Sequence, residues 1–388
     1  MGEVTTLTNV KIWDGIDWST ADSLVMDGDK ITALGNGLGQ ENAQGVVMDC
    51  AGATLVPGLI DAHVHMELNP ENRKAPAQTS ESVAPEMAVR AEAMVKAGIT
   101  TARDLGGGKW LELTLRDQIT AGELLGPRLL CSGQPITTPE GHCHFWGGGC
   151  SNLEEALEVI ARQDRRGVDL IKVMATGGTM TKGSAPKDAQ FDLETLTKIV
   201  ERANELGYHV AAHCHGTKGI HHAAHAKVTT IEHCSWVGEE GWATDYNPEV
   251  ALAIAKNGVW VSPTISRGWK RMLGGSGKTL ERMRVGFRGL KALGVPFIAS
   301  TDAGIPGVFH HHLPEALAVF SEIAELTTAQ TMRASTWEAA LAIGLGEVTG
   351  RLAPGFAADL LLLDGDPLDD LEALTRPVAV WARGRKAL

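Results

Sequence analysis

The chain has 388 residues, 44% hydrophobic and 21% charged, with a formal net charge of −12. That composition is that of a globular protein large enough for one big domain or two ordinary ones. The acidic balance argues against nucleic acid or an anionic membrane surface as partner, since both call for basic surface. No run approaches roughly 18 uninterrupted apolar residues, so no membrane-spanning helix is expected.

The N-terminal MGEVTTLTNVKIWDG lacks the basic n-region and apolar core of a secretory signal, and a cytoplasmic protein is expected. The first fifty-odd residues alternate short apolar segments with DG and GNG turn signals, which predicts a small antiparallel sheet. GFAADLLLLD at 355–364 and the closing VAVWARGRKAL, a hairpin by its pattern, have the same texture. A small β-sandwich assembled from both termini, residues 1–56 and 352–388, therefore brackets a larger domain over 57–351.

In chain order the middle carries the candidate strands GLIDAHVH (58–65), ITTARDL (99–105), RLLCSG (128–133) and DLIKVMAT (169–176). HVAAHCH (209–215), TTIEHC (229–234), VWVSPT (259–264) and PFIAST (296–301) follow. Between them SNLEEALEVIARQDRRG and DLETLTKIVERANELG repeat apolar residues at three- and four-residue steps, the helical period. Eight strands, each followed by a helix-sized segment, predict a (β/α)8 TIM barrel. No GxGxxG follows the first strand of a βα unit, which disfavours an open doubly wound sheet.

Barrel active sites gather at the C-terminal ends of the strands. There the sequence has His63 and His65 on the first strand, Lys172 in the fourth, His213 and His215 on the fifth, His233 on the sixth and Asp302 after the eighth. Residues two apart on a strand face the same side, so His63 and His65 aim at one point. A single such histidine is most simply a satisfied structural residue. Seven polar groups on the same ends of five strands point to a metal site. The six cysteines, at 50, 131, 143, 150, 214 and 234, form no CxxC pair and read as small buried residues.

The motifs VPGLIDAHVH, TTARDLGG, GHCHFWGG, IKVMATGG, VAAHCHG, TIEHC, ASTDAG and APGFAADLLLLDGDP together resemble the amidohydrolase superfamily of metal-dependent hydrolases. Within it the chain looks like the branch of imidazolonepropionase and the binuclear zinc Xaa-Pro dipeptidases. The resemblance implies two divalent metal ions; the donor type suits zinc, with manganese or cobalt as alternatives. His63, His65 and Asp302 would hold one metal and His213 and His233 the other, with Lys172, N6-carboxylated by CO2, bridging them. Asp302 would be the catalytic proton carrier. The implied reaction is hydrolysis of the amide, peptide or lactam bond of a small molecule such as a dipeptide, an N-acyl amino acid or an aromatic amide.

A deaminase on the same barrel is the alternative. The glutamate that many of them carry three residues after the fifth-strand histidine is absent here, where Cys214, His215 and Gly216 follow His213. His142, His215, Lys182 and Trp146 are candidate substrate contacts, with Arg267, Arg103 and Trp236 as further possibilities. His144 reads equally as structural, the HHH run at 310–312 as a solvated loop, and HHAAH at 221–225 as a helix face. A homo-oligomer is expected.

Overall fold

The structure, a computed structural model, describes residues 4–39, 45–72, 81–273 and 277–388. Two small sheets come from the chain's ends. One runs in the order Lys30–Gly35, Ser23–Asp27, Val4–Thr8, Val46–Asp49; the other in the order Arg385–Lys386, Pro377–Ala382, Leu360–Leu363, Thr54–Pro57, Lys11–Ile12. Their facing sides share a core that includes Leu7, Leu24, Met26, Leu55, Leu360 and Trp381. The expected antiparallel pattern holds only in part. Val4–Thr8 pairs parallel with Val46–Asp49, and Lys11–Ile12 parallel with Thr54–Leu55, so both sheets are mixed.

The run Leu360–Leu363 shows why these sheets sit against the rest of the molecule. Side chains alternate along a strand. Leu360 and Leu362 pack into the core between the sheets, while Leu361 and Leu363 join the large core of the central body. The closing hairpin turns at Arg383 and Gly384, both at positive φ (50° and 70°), as a tight two-residue turn requires.

The central body is a barrel of parallel strands, here β1 (Leu59–Val64), β2 (Ile99–Asp104), β3 (Arg128–Cys131), β4 (Ile171–Met174), β5 (Val210–Gly216), β6 (Thr230–Val237) and β7 (Trp260–Ser262). β1–β3 form one ladder and β4–β7 another. Ile136 bridges to Val173 and joins the two on one side. On the other side residues 296–303 take the place of the eighth strand, though not as a regular one. They bridge to β7 through Phe297 and to β1 through Ala303, and Ala62 and His65 donate to the carbonyls of Ala299 and Ala303. Side chains supply further bonds: the amide of Thr301 donates to Asp61 and that of Thr264 to Ser300.

The helical segments have their end signals in sequence. Leu153–Arg166 starts at Asn152, whose side chain accepts from the amide of Glu155, and stops at Gly167 in the left-handed region. Leu193–Glu205 starts at Asp192, which caps the amide of Thr195. No helix among the described residues is long and apolar enough to cross a membrane. All six cysteines are free and buried.

Candidate metal centre

On β1, Ile60 and Ala62 pack outward against the helix Trp337–Ala342, which turns Asp61 and His63 into the barrel. Asp61 is fully buried and fastens the eighth segment, accepting from the Thr301 hydroxyl at 2.6 Å and from the Thr301 amide at 3.1 Å. Burial raises its pKa to about 7, against the pull of those donors. The next residue, Asp302, is thereby set opposite the β1 histidines. Its Oδ1 lies 3.3 Å from Nε2 of both His63 and His65.

Each histidine uses one ring nitrogen for orientation and leaves the other toward the cavity. His63 Nδ1 donates to Glu232 at 3.0 Å and His65 Nδ1 to the carbonyl of Gly106 at 2.8 Å. His213 Nε2 donates to the carbonyl of Gly177 at 3.0 Å. The Nδ1 atoms of His215 and His233 pair with the hydroxyls of Ser235, at 3.0 Å, and Thr264, at 2.8 Å. Such outer partners fix the tautomer and the ring orientation of metal-binding imidazoles. Among the described residues two sets of three donor atoms lie within 4.8 Å of one another: His213, His215 and His233, and His63, His233 and Asp302.

Burial keeps these rings neutral, the form that ligates a metal. It lowers His63 to about 4 and His215 to about 3, and pushes His213 and His233 well below the usual range with help from neighbouring rings. His65 is the exception. Burial opposes its protonation, but the contact with Asp302 outweighs it. Asp302 would be raised by burial, yet His63 and His65 hold it well below the ordinary carboxylate range.

Lys172 on β4 is 1% exposed, and its Nζ has no hydrogen-bond partner among the described residues. Burial brings it down to about 8, although Glu232 and Asp302 pull the other way. An unpaired buried ammonium costs several kcal/mol, so this position calls for a partner or a chemical change.

The backbone here is strained. His233, Thr264, Asp302 and Cys143, all lining the cavity, have φ values of 68°, 55°, 62° and 57°. Left-handed conformations cost non-glycine residues about 1–3 kcal/mol each and persist where the surroundings enforce them. The departure at His233 and Cys234 also breaks the alternation of β6, so that consecutive Glu232 and His233 both serve the site. Gly178 is required by proximity: a Cβ there would stand 2.4 Å from the His142 ring.

The cavity, about 330 Å3, is lined by His63, His65, His142, Lys172, His213, His215, His233 and Asp302. Two expected substrate contacts do not face it. Trp146 is fully buried behind His65, ring centroids 5.3 Å apart, and Lys182 is an exposed side chain outside the lining. Arg103 is also not at the mouth; it is buried and bound to Glu232 at 2.8 Å and to the carbonyl of Ala62 at 2.8 Å. Arg267 pairs with Glu315 at 2.7 Å. Trp242, Trp269 and Arg271 line the cavity instead.

His144 is exposed and donates to the carbonyl of Gly141, and residues 221–225 lie in the helix Thr217–Ala226. The solvated loop expected at 310–312 is corrected: His310 and His312 are buried, and His310 Nε2 donates to the carbonyl of His65 at 3.0 Å. The helix Leu313–Ala324 begins directly after them, with Pro314 in its first turn as a helix-start signal.

A model of the amidohydrolase family matches residues 54–386. The chain is 28% identical over 375 residues to an ochratoxinase of Aspergillus niger, covering 85% of this chain and 75% of that one. It is 28% identical over 179 residues to an imidazolonepropionase of Chloroflexus aggregans, over 45% of this chain and 38% of the other. A solved Xaa-Pro dipeptidase with methionine bound in its active site superposes with a TM-score of 0.86 at 25% identity, over 99% of both chains.

Proposed function

Because the chain belongs to the amidohydrolase family, we propose that His63, His65, Lys172, His213, His233 and Asp302 are the ligands of its two metal ions and that zinc is the native metal. The enzyme is a binuclear metal-dependent amidohydrolase acting on amide- or peptide-type C–N bonds. All six proposed ligands belong to the barrel unit, 57–351, and none to the composite β unit of 1–56 and 352–388.

The carrying observation is the orphaned Nζ of Lys172 among oriented, neutral imidazoles. A pKa near 8 leaves a usable fraction of free amine at neutral pH. That amine adds to CO2, forming an N–C bond and releasing a proton, and the resulting carbamate is an anion suited to sit between two cations. Histidine nitrogens with carboxylate oxygens are a donor set that suits zinc.

When bound, the metals supply Lewis acidity toward a water and toward the carbonyl oxygen of the substrate. Asp302 takes a proton from the water as its oxygen bonds to the carbonyl carbon. It then delivers that proton to the nitrogen as the C–N bond breaks, leaving a carboxylic acid and an amine. Glu232 keeps His63 oriented throughout, and His142 and His215 contact the substrate. The likeness to a dipeptidase supports a dipeptide or N-acyl amino acid as substrate. The test is a screen of zinc-reconstituted enzyme against dipeptides, N-acyl amino acids and aromatic amides. Metal-dependent hydrolysis of members of this panel supports the reading, and none at all contradicts it.

A further inference from the structure

Beside the histidine-lined cavity lies a second chamber of about 510 Å3, and the two share Thr179, His233, Ser235, Trp242, Trp269 and Arg271 in their walls. They therefore meet directly beside the reacting groups. Beyond the shared wall the chamber is apolar, faced by Trp236, Met283, Phe287 and Leu290. The last three stand on the helix Lys278–Ala292, and the end of β6 supplies Trp236. Gly286 on the same helix keeps that face open, since a Cβ there would come within 3.3 Å of the Trp236 ring. Ligand sites have this make-up: mostly apolar walls with a few directed polar groups.

Arg271 is the polar group that matters. It stands on both cavities and is exposed, and among the described residues it has no hydrogen-bond or ion-pair partner. Lys172 and Arg271 are the cations of the two walls among the described residues, and Lys172 belongs to the metal centre. An unpaired guanidinium at the rim of an apolar chamber matches a carboxylate, which it binds through two parallel N–H donors.

We propose that the substrate is an amide carrying both a bulky aromatic group, seated in this chamber, and a carboxylate, paired with Arg271. The inference rests on the hydrolase reading for where the bond lies, but it concerns binding alone. Small aliphatic dipeptides leave the chamber filled with water and gain nothing from its walls. A fused aromatic ring displaces that water and adds roughly a hundredfold in affinity. The Arg271 pair, at an exposed rim, adds roughly tenfold.

A sulfonamide replaces the planar acyl group by a tetrahedral sulfonyl group with no acyl carbon at the position of the scissile bond, so it reports binding without turnover. Calorimetry on the zinc-loaded enzyme compares N-(2-naphthylsulfonyl)glycine and N-methylsulfonyl-tryptophan, with bulk on either side of the nitrogen, against N-methylsulfonyl-glycine. The primary alcohol that replaces the carboxylate of each tests the charge. At least one aromatic acid should bind roughly a hundredfold more tightly than the methyl acid and roughly tenfold more tightly than its own alcohol. Met283→Trp, which fills the chamber, should abolish the first preference, and Arg271→Met the second. Equal affinity for aromatic and methyl acids, or preferences that survive both substitutions, would overturn the proposal. If the ranking holds while no amide of the panel is hydrolysed, the hydrolase reading fails and this one stands.

Discussion

His63 Nδ1 donates to Glu232 Oε2 at 3.0 Å, while the other carboxylate oxygen of Glu232 holds Arg103 at 2.8 Å. All three side chains are buried. Burial would raise Glu232, but Arg103 and His63 hold it well below the ordinary range, so it stays anionic. A fixed anion behind an imidazole locks the tautomer and strengthens the free nitrogen as a ligand. Glu232→Gln keeps the shape and removes the charge. We expect zinc affinity to fall about 10–100-fold, read by competition with a chromophoric chelator.

Asp302→Asn tests the proton carrier. The amide retains one oxygen toward His63 and His65, so metal should stay bound. Proton transfer of this kind contributes about 10²–10⁴-fold, and kcat should fall by that order. Steady-state kinetics beside metal analysis decides it; unchanged turnover would remove Asp302 from the role.

His213 and His215 give a sharper contrast because both have a donor atom in the same three-histidine set. Only His213 is a proposed ligand. His213→Ala should lose one metal per chain, whereas His215→Ala should keep both and raise KM. Equal metal loss in the two variants would make His215 a ligand as well.

Much of the site was legible because its residues carry signals that survive without the fold. The HxH pair of β1, a lysine inside an apolar strand and an aspartate at the end of the eighth segment each break the local pattern, and the barrel rule gathers them. The Glu232–Arg103 pair was harder. Glu232 reads as the outward neighbour of His233, and only the left-handed turn at His233 and Cys234 allows both residues to act at one site. Trp146 and Lys182 were misplaced for a related reason: a loop's sequence does not say which side chain folds behind a histidine and which stays in solvent. PFIAST has strand composition, but Asp61 and Ser300 side chains replace part of its ladder.

Removal and return of CO2 probes Lys172 chemically. Apo-enzyme depleted of bicarbonate should regain activity slowly with zinc alone and faster with zinc and bicarbonate. Because burial holds the lysine near 8, the amine fraction available to CO2 grows as pH rises through that value and shrinks below it. Reactivation should therefore quicken from pH 7 to 9. A rate indifferent to bicarbonate would contradict the carbamate.

The most direct test of the account is metal stoichiometry by mass spectrometry on protein prepared with zinc and bicarbonate, wild type beside Lys172→Ala. The account predicts close to two zinc ions per chain in the wild type and a loss of metal and activity in the variant, with activity partly restored by short carboxylic acids. One metal per chain, or a variant that keeps both, would contradict it.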